Sequence, residues 1–303
     1  VNSKEGSSFR ARFLVFAAAC MMGAGGCGPR RAEHSNQRLF DLRTIESLGR
    51  QIYEQDRYAA AATEILFRDA GTPESLTREG LAGWVFTRSK QGRIVVRFVR
   101  ESDGRPEPAY DITFSSFRDG TCDRKPQGRL SRNELAQYRA KRLVGINLPR
   151  REWPMYNLVA LPDVEGDGFL VYALAATRDP NLVVVGGHYR FTVSGDGEKI
   201  LLAEKLFRSF LVLDKRQVPE GSGNCLFATH LGWDTPAETH VFLTLLHAQP
   251  LHVATKNGDL WRIEKGNMRR VGHVEIASDG VRVRTNVVAT VSDRKPPDED
   301  QAR

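Results

Sequence analysis

Apolar residues recur at three- and four-residue steps along the first part of the chain: Leu39, Leu42, Ile45, Leu48, Ile52 and Tyr53, then Tyr58 and Ile65-Leu66. That period is the signature of an amphipathic helix. "RYAAAAT" adds helix propensity, and Gly71-Thr72-Pro73 closes the run, because proline cannot continue it. A helical segment is predicted over residues 37–71. Beyond it the period falls to two. Trp84 and Phe86, then Ile94, Val96 and Phe98, then Tyr110, Ile112 and Phe114 alternate around glycine turns and predict an antiparallel meander. One helix interrupts at residues 132–143, opened by a capping box of Ser131 with Glu134. "YNLVALP", "GFLVYALAAT", "LVVVGGHYRFTVS" and "KILLAEKLF" then read as strands, with "SGDGEK" as a hairpin turn. "HVFLTLLH", "PLHVATK", "DLWRIEK" and "GHVEIAS" follow as further strands. The predicted class is α+β: an N-terminal helical segment, then a largely antiparallel β-sheet region (72–291) with one inserted helix.

The two ends of the chain read differently. Arg10 and Arg12 lead into "FLVFAAACMM" and then into Gly23-Ala24-Gly25-Gly26. A basic start, a short apolar run and a small-residue exit form the layout of an export signal, and the run is too short to span a bilayer. Ala24-Gly25-Gly26-Cys27 resembles a bacterial lipobox, although that pattern favours Leu where Ala24 stands. The resemblance implies cleavage after residue 26 and lipidation of Cys27. Cys20 is a second candidate, with a shorter apolar run before it. Residues 27–36 read as a linker and "SDRKPPDEDQAR" (292–303) as a disordered tail.

Charge changes this picture little. The net charge is +7, of which residues 1–26 supply +2 through Lys4, Arg10 and Arg12 against Glu5, leaving about +5 (7 − 2) on the mature chain. The basic residues are scattered among acids, with no aromatic-interleaved patch, which excludes nucleic acid as the expected partner. The cysteines are Cys20, Cys27, Cys122 and Cys225. After maturation at Cys27 two thiols remain, and in an oxidising compartment Cys122 and Cys225 are expected to pair.

Candidate chemistry concentrates in "GSGNCLFATHLGWDTPAETHVF" (221–242). Cys225 with His230 or His240, and Asp234 to orient the ring, supply the residue types of a thiol hydrolase. The competing reading is a loop that leads into a strand, with Cys225 in the disulfide. His230, His240, His247 and His252 could offer imidazoles to a metal, but no two stand at a ligand-pair spacing on one face, so no metal site is expected. The paired glycines of "VVVGGHYRF" precede a strand rather than a helix and read as a turn, not a phosphate loop. "TPAE" has the form of a capping box, expected to start no more than one helical turn before the β-branched run. No cofactor is implied.

The segments "YNLVALP…GFLVYALAATRDPNLVVVGGHYRFTVSGDG" and "ATHLGWDTPAETHVFLTLLHAQPLHVATKNGDLWRIE" resemble a family of uncharacterised exported bacterial proteins, over roughly residues 80–265. The resemblance implies an exported fold and no particular activity. The sequence therefore points to a bacterial envelope protein on the periplasmic side, either held at the membrane by a lipid anchor or free in the periplasm. Its expected role is a non-enzymatic binding or structural module with an envelope partner; the alternative is the exported thiol hydrolase.

Overall fold

The computed structural model describes residues 37–149, 153–217, 225–277 and 280–284. The export signal, Cys20, Cys27, the linker and the tail lie outside the described residues.

Helix α1 (Leu42–Asp69) runs 28 residues, or about 42 Å at 1.5 Å per residue. Asp41 caps it, its carboxylate accepting from the amides of Arg43 at 2.9 Å and Thr44 at 3.0 Å. Its buried stripe serves two cores in turn. Ile45, Leu48 and Ile52 enter the larger core, whereas Ala62 and Leu66 enter a second core further along. A helix longer than any one sheet thus becomes the spine on which separate sheets are assembled.

The second core belongs to a four-stranded meander, β1 (Leu81–Arg88), β2 (Ile94–Ser102), β3 (Arg105–Ser116) and β4 (Asp119–Asp123), paired in chain order. The short α2 (Pro73–Arg78) leads into it. Val96, Phe98, Ile112 and Phe114 pack with α1. Helix α3 (Arg132–Asn147) covers the exposed edge of β1. Its Gln137 bonds both the amide (2.6 Å) and the carbonyl (3.2 Å) of Phe86, and its Lys141 Nζ donates to the Trp84 carbonyl at 2.9 Å. Open strand edges invite wrong pairing; here side chains occupy the edge groups.

The other face of α3 (Ala136, Ala140, Val144) packs on a second antiparallel sheet, ordered β5 (Tyr156–Pro162), β6 (Phe169–Ala175), β8 (Tyr189–Val193), β9 (Ile200–Lys205). Every residue of β6 is buried, because α3 lies on one face of the sheet and α1 with α4 on the other. Between β6 and β8 the chain forms β7 (Leu182–Val184), which pairs with β10 (Val212–Asp214) as a two-stranded ribbon. The last sheet is β11 (Leu226–His230), β12 (Leu251–Thr255), β13 (Asp259–Glu264), β14 (Asn267–Ala277) and β15 (Gly280–Arg284).

The chain is thus α+β, with an N-terminal helix followed by largely antiparallel sheets. Several elements depart from the sequence reading: the short α2 lies in the region read as sheet, and "LVVVGGHYRFTVS", read as one strand, divides into β7 and β8 of different sheets. "HVFLTLLH", expected as a strand, lies in helix α4 (Glu238–His247). Glu238 through Thr244 are all buried, polar Glu238, Thr239, His240 and Thr244 included, so the helix is enclosed by protein and lacks the exposed polar stripe that marks a helix at the surface. Its start differs too: Ala237 is the cap, and the His240 ring nitrogen Nδ1 accepts the Ala237 amide at 2.9 Å. The helix makes β11 and β12 parallel, since parallel neighbours require a crossover between them. It packs hard on α1. A methyl group added at Gly49 would stand 2.5 Å from Cβ of Val241 and 2.7 Å from the Glu238 carbonyl oxygen, so the close approach of the two helices requires glycine there.

Candidate functional site

Where α1, α4 and the end of β6 meet the β6–β7 connection, they leave a pocket of about 730 Å³. Its size lies within the range of small-molecule sites. The floor is apolar: Leu174 of β6, Val184 of β7, and Phe242 and Leu246 of α4. The walls are cationic. Arg57 comes from α1, Arg118 from the β3–β4 turn, Arg178 from the β6–β7 connection, and Lys215 from just after β10. Asp179 is the one carboxylate among the lining residues. It lies 3.3 Å from the Arg216 guanidinium, which Asp214 holds more closely at 2.7 Å, so Asp179 itself offsets one of the four wall charges. No described carboxylate pairs with Arg118, Arg178 or Lys215. His247 adds no charge at neutral pH: burial, assisted by nearby Lys215, pushes its pKa down to about 4.

The walls are held rather than loose. The Arg57 guanidinium lies 4.9 Å from the centre of the Phe117 ring, an arrangement that attracts a cation to the ring face. The connection carrying Arg178 is stapled at several points. Trp153 Nε1 donates to the Ala176 carbonyl at 2.8 Å, and the Ala176 amide donates to Met155 O at 3.1 Å. Thr177 Oγ1 accepts from the Asp179 amide at 3.2 Å, and Asn181 O accepts from the Lys215 amide at 2.9 Å. Behind the lining, Asn157 Nδ2 donates to buried Asp56 at 3.1 Å. Burial pushes the Asp56 carboxyl up to about 6.

The residues singled out in the sequence fall elsewhere, in two separate places. His230 and His240 belong to a buried aromatic cluster with His188, Phe207 and Trp233; the His230 and His240 rings are 5.1 Å apart, and Phe207 is 5.1 Å from each. Burial lowers the pKa of His188 and His230 to about 4, and it holds that of His240 well below the ordinary imidazole value. Cys225 has a different imidazole. Its sulfur stands 3.0 Å from His252 Nδ1 and 3.4 Å from the Pro250 carbonyl. The reason is strand parity. Leu226, Ala228 and His230 face the core from β11, so Cys225 projects the other way, beside His252 on the neighbouring parallel strand. Asp234 is exposed in the loop before α4. The combination of Cys225 with His230 or His240 and Asp234 is therefore not assembled.

The expected Cys122–Cys225 bridge is not formed either; both cysteines are free. Cys122 sits opposite Ile112 on β4, packed against the meander core, while Cys225 precedes β11 in the last sheet. Among the described residues, no cluster of three or more His, Cys, Asp or Glu side chains is arranged to hold a metal ion. No described helix is long and apolar enough to cross a membrane.

The Cys225–His252 pair has the contact of a catalytic dyad without its electrostatics. Burial raises the Cys225 pKa, and burial together with Arg262 lowers that of His252. Both shifts favour neutral thiol and neutral imidazole over the thiolate–imidazolium pair that a thiol nucleophile needs. Alkylation of Cys225 by iodoacetamide, followed peptide by peptide against pH, should therefore show a midpoint above that of the same cysteine in denaturant. A midpoint below the denatured control would restore the thiol to candidacy.

Comparison with protein-family models, with curated proteins and with solved structures returns no match for this chain. Its assignment rests on its own geometry. The pocket residues were not legible in the sequence: Arg57, Arg118, Arg178 and Lys215 are spread over 158 positions (215 − 57) and share no motif. Only the tertiary meeting of α1, α4 and two connections makes them neighbours.

Proposed function

We propose that this chain is a non-enzymatic, envelope-associated binding protein, and that its binding site is the pocket between α1, α4 and the β6–β7 connection. The observation that carries the reading is a concave, apolar-floored cavity whose polar wall is pre-positioned by stapled loops. Concavity with a few convergent polar groups is the usual form of a small-molecule site. Within the same reading, the export signal delivers the protein and lipidated Cys27 holds it at the membrane. The thiol-hydrolase alternative retains one favourable feature, the 3.0 Å sulfur–imidazole contact.

The test takes the full chain from the membrane fraction of a bacterial producer. Wild type should sediment with membranes and Cys27→Ala should not. Native mass spectrometry of the detergent-released wild type should show a non-peptide mass bound one to one. Leu182→Trp, which fills the pocket from β7, should lose that mass while melting close to wild type. Equal occupancy in the two proteins would remove the pocket from the account, and recovery of wild type in the cytosol would remove the envelope.

A further inference from the structure

We propose that the pocket is selective for an amphiphilic anion: a small molecule with a carboxylate or phosphate head on an apolar body. The inference rests on the pocket reading above and adds the class of ligand. Three observations converge on it. First, Arg57, Arg118, Arg178 and Lys215 line one cavity against the single lining carboxylate of Asp179, which leaves the cations in excess. A concave site walled by protein concentrates the field of such charges and raises the local concentration of anions. Second, three of the four cations are guanidinium groups, whose planar fork matches carboxylate and phosphate oxygens in pairs. Third, the floor of Leu174, Val184, Phe242 and Leu246 offers those cations nothing. A bare inorganic anion would leave that floor in water, whereas an uncharged apolar molecule would leave Arg118, Arg178 and Lys215 without an anion to engage.

His247 and Asn157 define the remaining polarity. His247 is neutral above about pH 4, so the cationic wall keeps its charge pattern across the physiological range. Asn157 is fixed by its bond to Asp56 and can serve a head group as a neutral hydrogen-bonding side chain.

Calorimetric titration of the delipidated full chain tests the proposal with four probes below their micellar concentrations: decanoate, decyl phosphate, the neutral ester monodecanoin, and inorganic phosphate. The two anionic amphiphiles should bind, with affinity that weakens as salt is raised; whichever binds more tightly identifies the head group. The double variant Arg178→Gln/Lys215→Gln should weaken both by about tenfold or more, the size expected for lost charge-assisted hydrogen bonds. Monodecanoin binding as tightly as decanoate, unaffected by the double variant, would overturn the anion requirement while leaving the pocket as a binding site. Inorganic phosphate binding as tightly as decyl phosphate would overturn the need for an apolar body. Binding of none of the four would overturn the proposed class, and the native-mass comparison of wild type with Leu182→Trp then decides separately whether the pocket binds anything.

Discussion

Replacing Arg190 by Met should lower the unfolding free energy by about 3–5 kcal/mol, the cost of leaving buried charges without their partner. Arg190 of β8 is 1% exposed and lies between two carboxylates that are equally enclosed. It reaches Glu204 of β9 at 2.7 and 2.8 Å and Glu238 of α4 at 2.6 Å, and it donates to the Arg38 carbonyl. Tyr172 donates its hydroxyl to the same Glu238 oxygen at 2.8 Å, and Glu204 accepts the Arg38 amide at 2.8 Å. One guanidinium therefore joins the second sheet, the first turn of α4 and the segment leading into α1. Removing it strands both carboxylates in the core. The triple variant Arg190→Met/Glu204→Leu/Glu238→Leu removes the charges together and should recover most of the loss, because a buried ion network is costly to break and much less costly to replace. Urea unfolding followed by circular dichroism gives both numbers. A loss below about 1 kcal/mol in Arg190→Met, the scale of an exposed pair, would show that the network is open to solvent.

Acidification should remove stability of comparable size through the buried histidines. His188 and His230 have ordinary pKa values near 6.5 in the unfolded chain and about 4 in the folded protein. Between those limits the unfolded chain binds more protons, so stability is complete above about pH 6.5 and falls as pH drops towards 4. Each pKa unit is worth about 1.4 kcal/mol, which puts each of these two histidines at about 3 kcal/mol by the bottom of that window. His240 acts in the same direction. Asp56 opposes them, because its carboxyl, raised by burial to about 6, takes up a proton more readily in the folded protein. The test is the urea midpoint at pH 7 and at pH 4.5 in wild type and His230→Phe. Phenylalanine suits the ring contacts with Phe207, Trp233 and His240, and His230 Nε2 has no hydrogen-bond partner to lose. The variant should lose distinctly less between the two pH values. An identical acid loss in the two proteins would show that His230 is not held neutral by the fold.

Much of the fold could be read from periodicity because most elements bury one face. The three- and four-residue steps from Leu42 mark α1, with Leu39 exposed ahead of it, and the Ser131–Glu134 box marks the start of α3 with both of its reciprocal bonds formed. "YNLVALP" is β5 from first residue to last. Periodicity failed where burial is complete. Residues 238–244 have no exposed face, so nothing distinguished a helix from a strand until the parallel pairing of β11 with β12 required a crossover. That misreading carried a second one with it. With "HVFLTLLH" taken as a strand, nothing places His252 against Cys225, and His230 or His240 become the natural choice. The parallel register, Phe227 opposite His252, sets the true neighbour. The pocket was hidden for a different reason: charges brought together by tertiary contact leave no spacing to find in the chain.

The central claim is that the working site is the pocket between α1, α4 and the β6–β7 connection, and not the thiol beside His252. Methyl and imidazole NMR spectra of the full chain titrated with decyl phosphate test it most directly. The account requires saturable shifts of the Leu174, Val184 and Leu246 methyl signals, with the His252 ring signals unmoved. Shifts at His252 with the pocket methyls unmoved would contradict it.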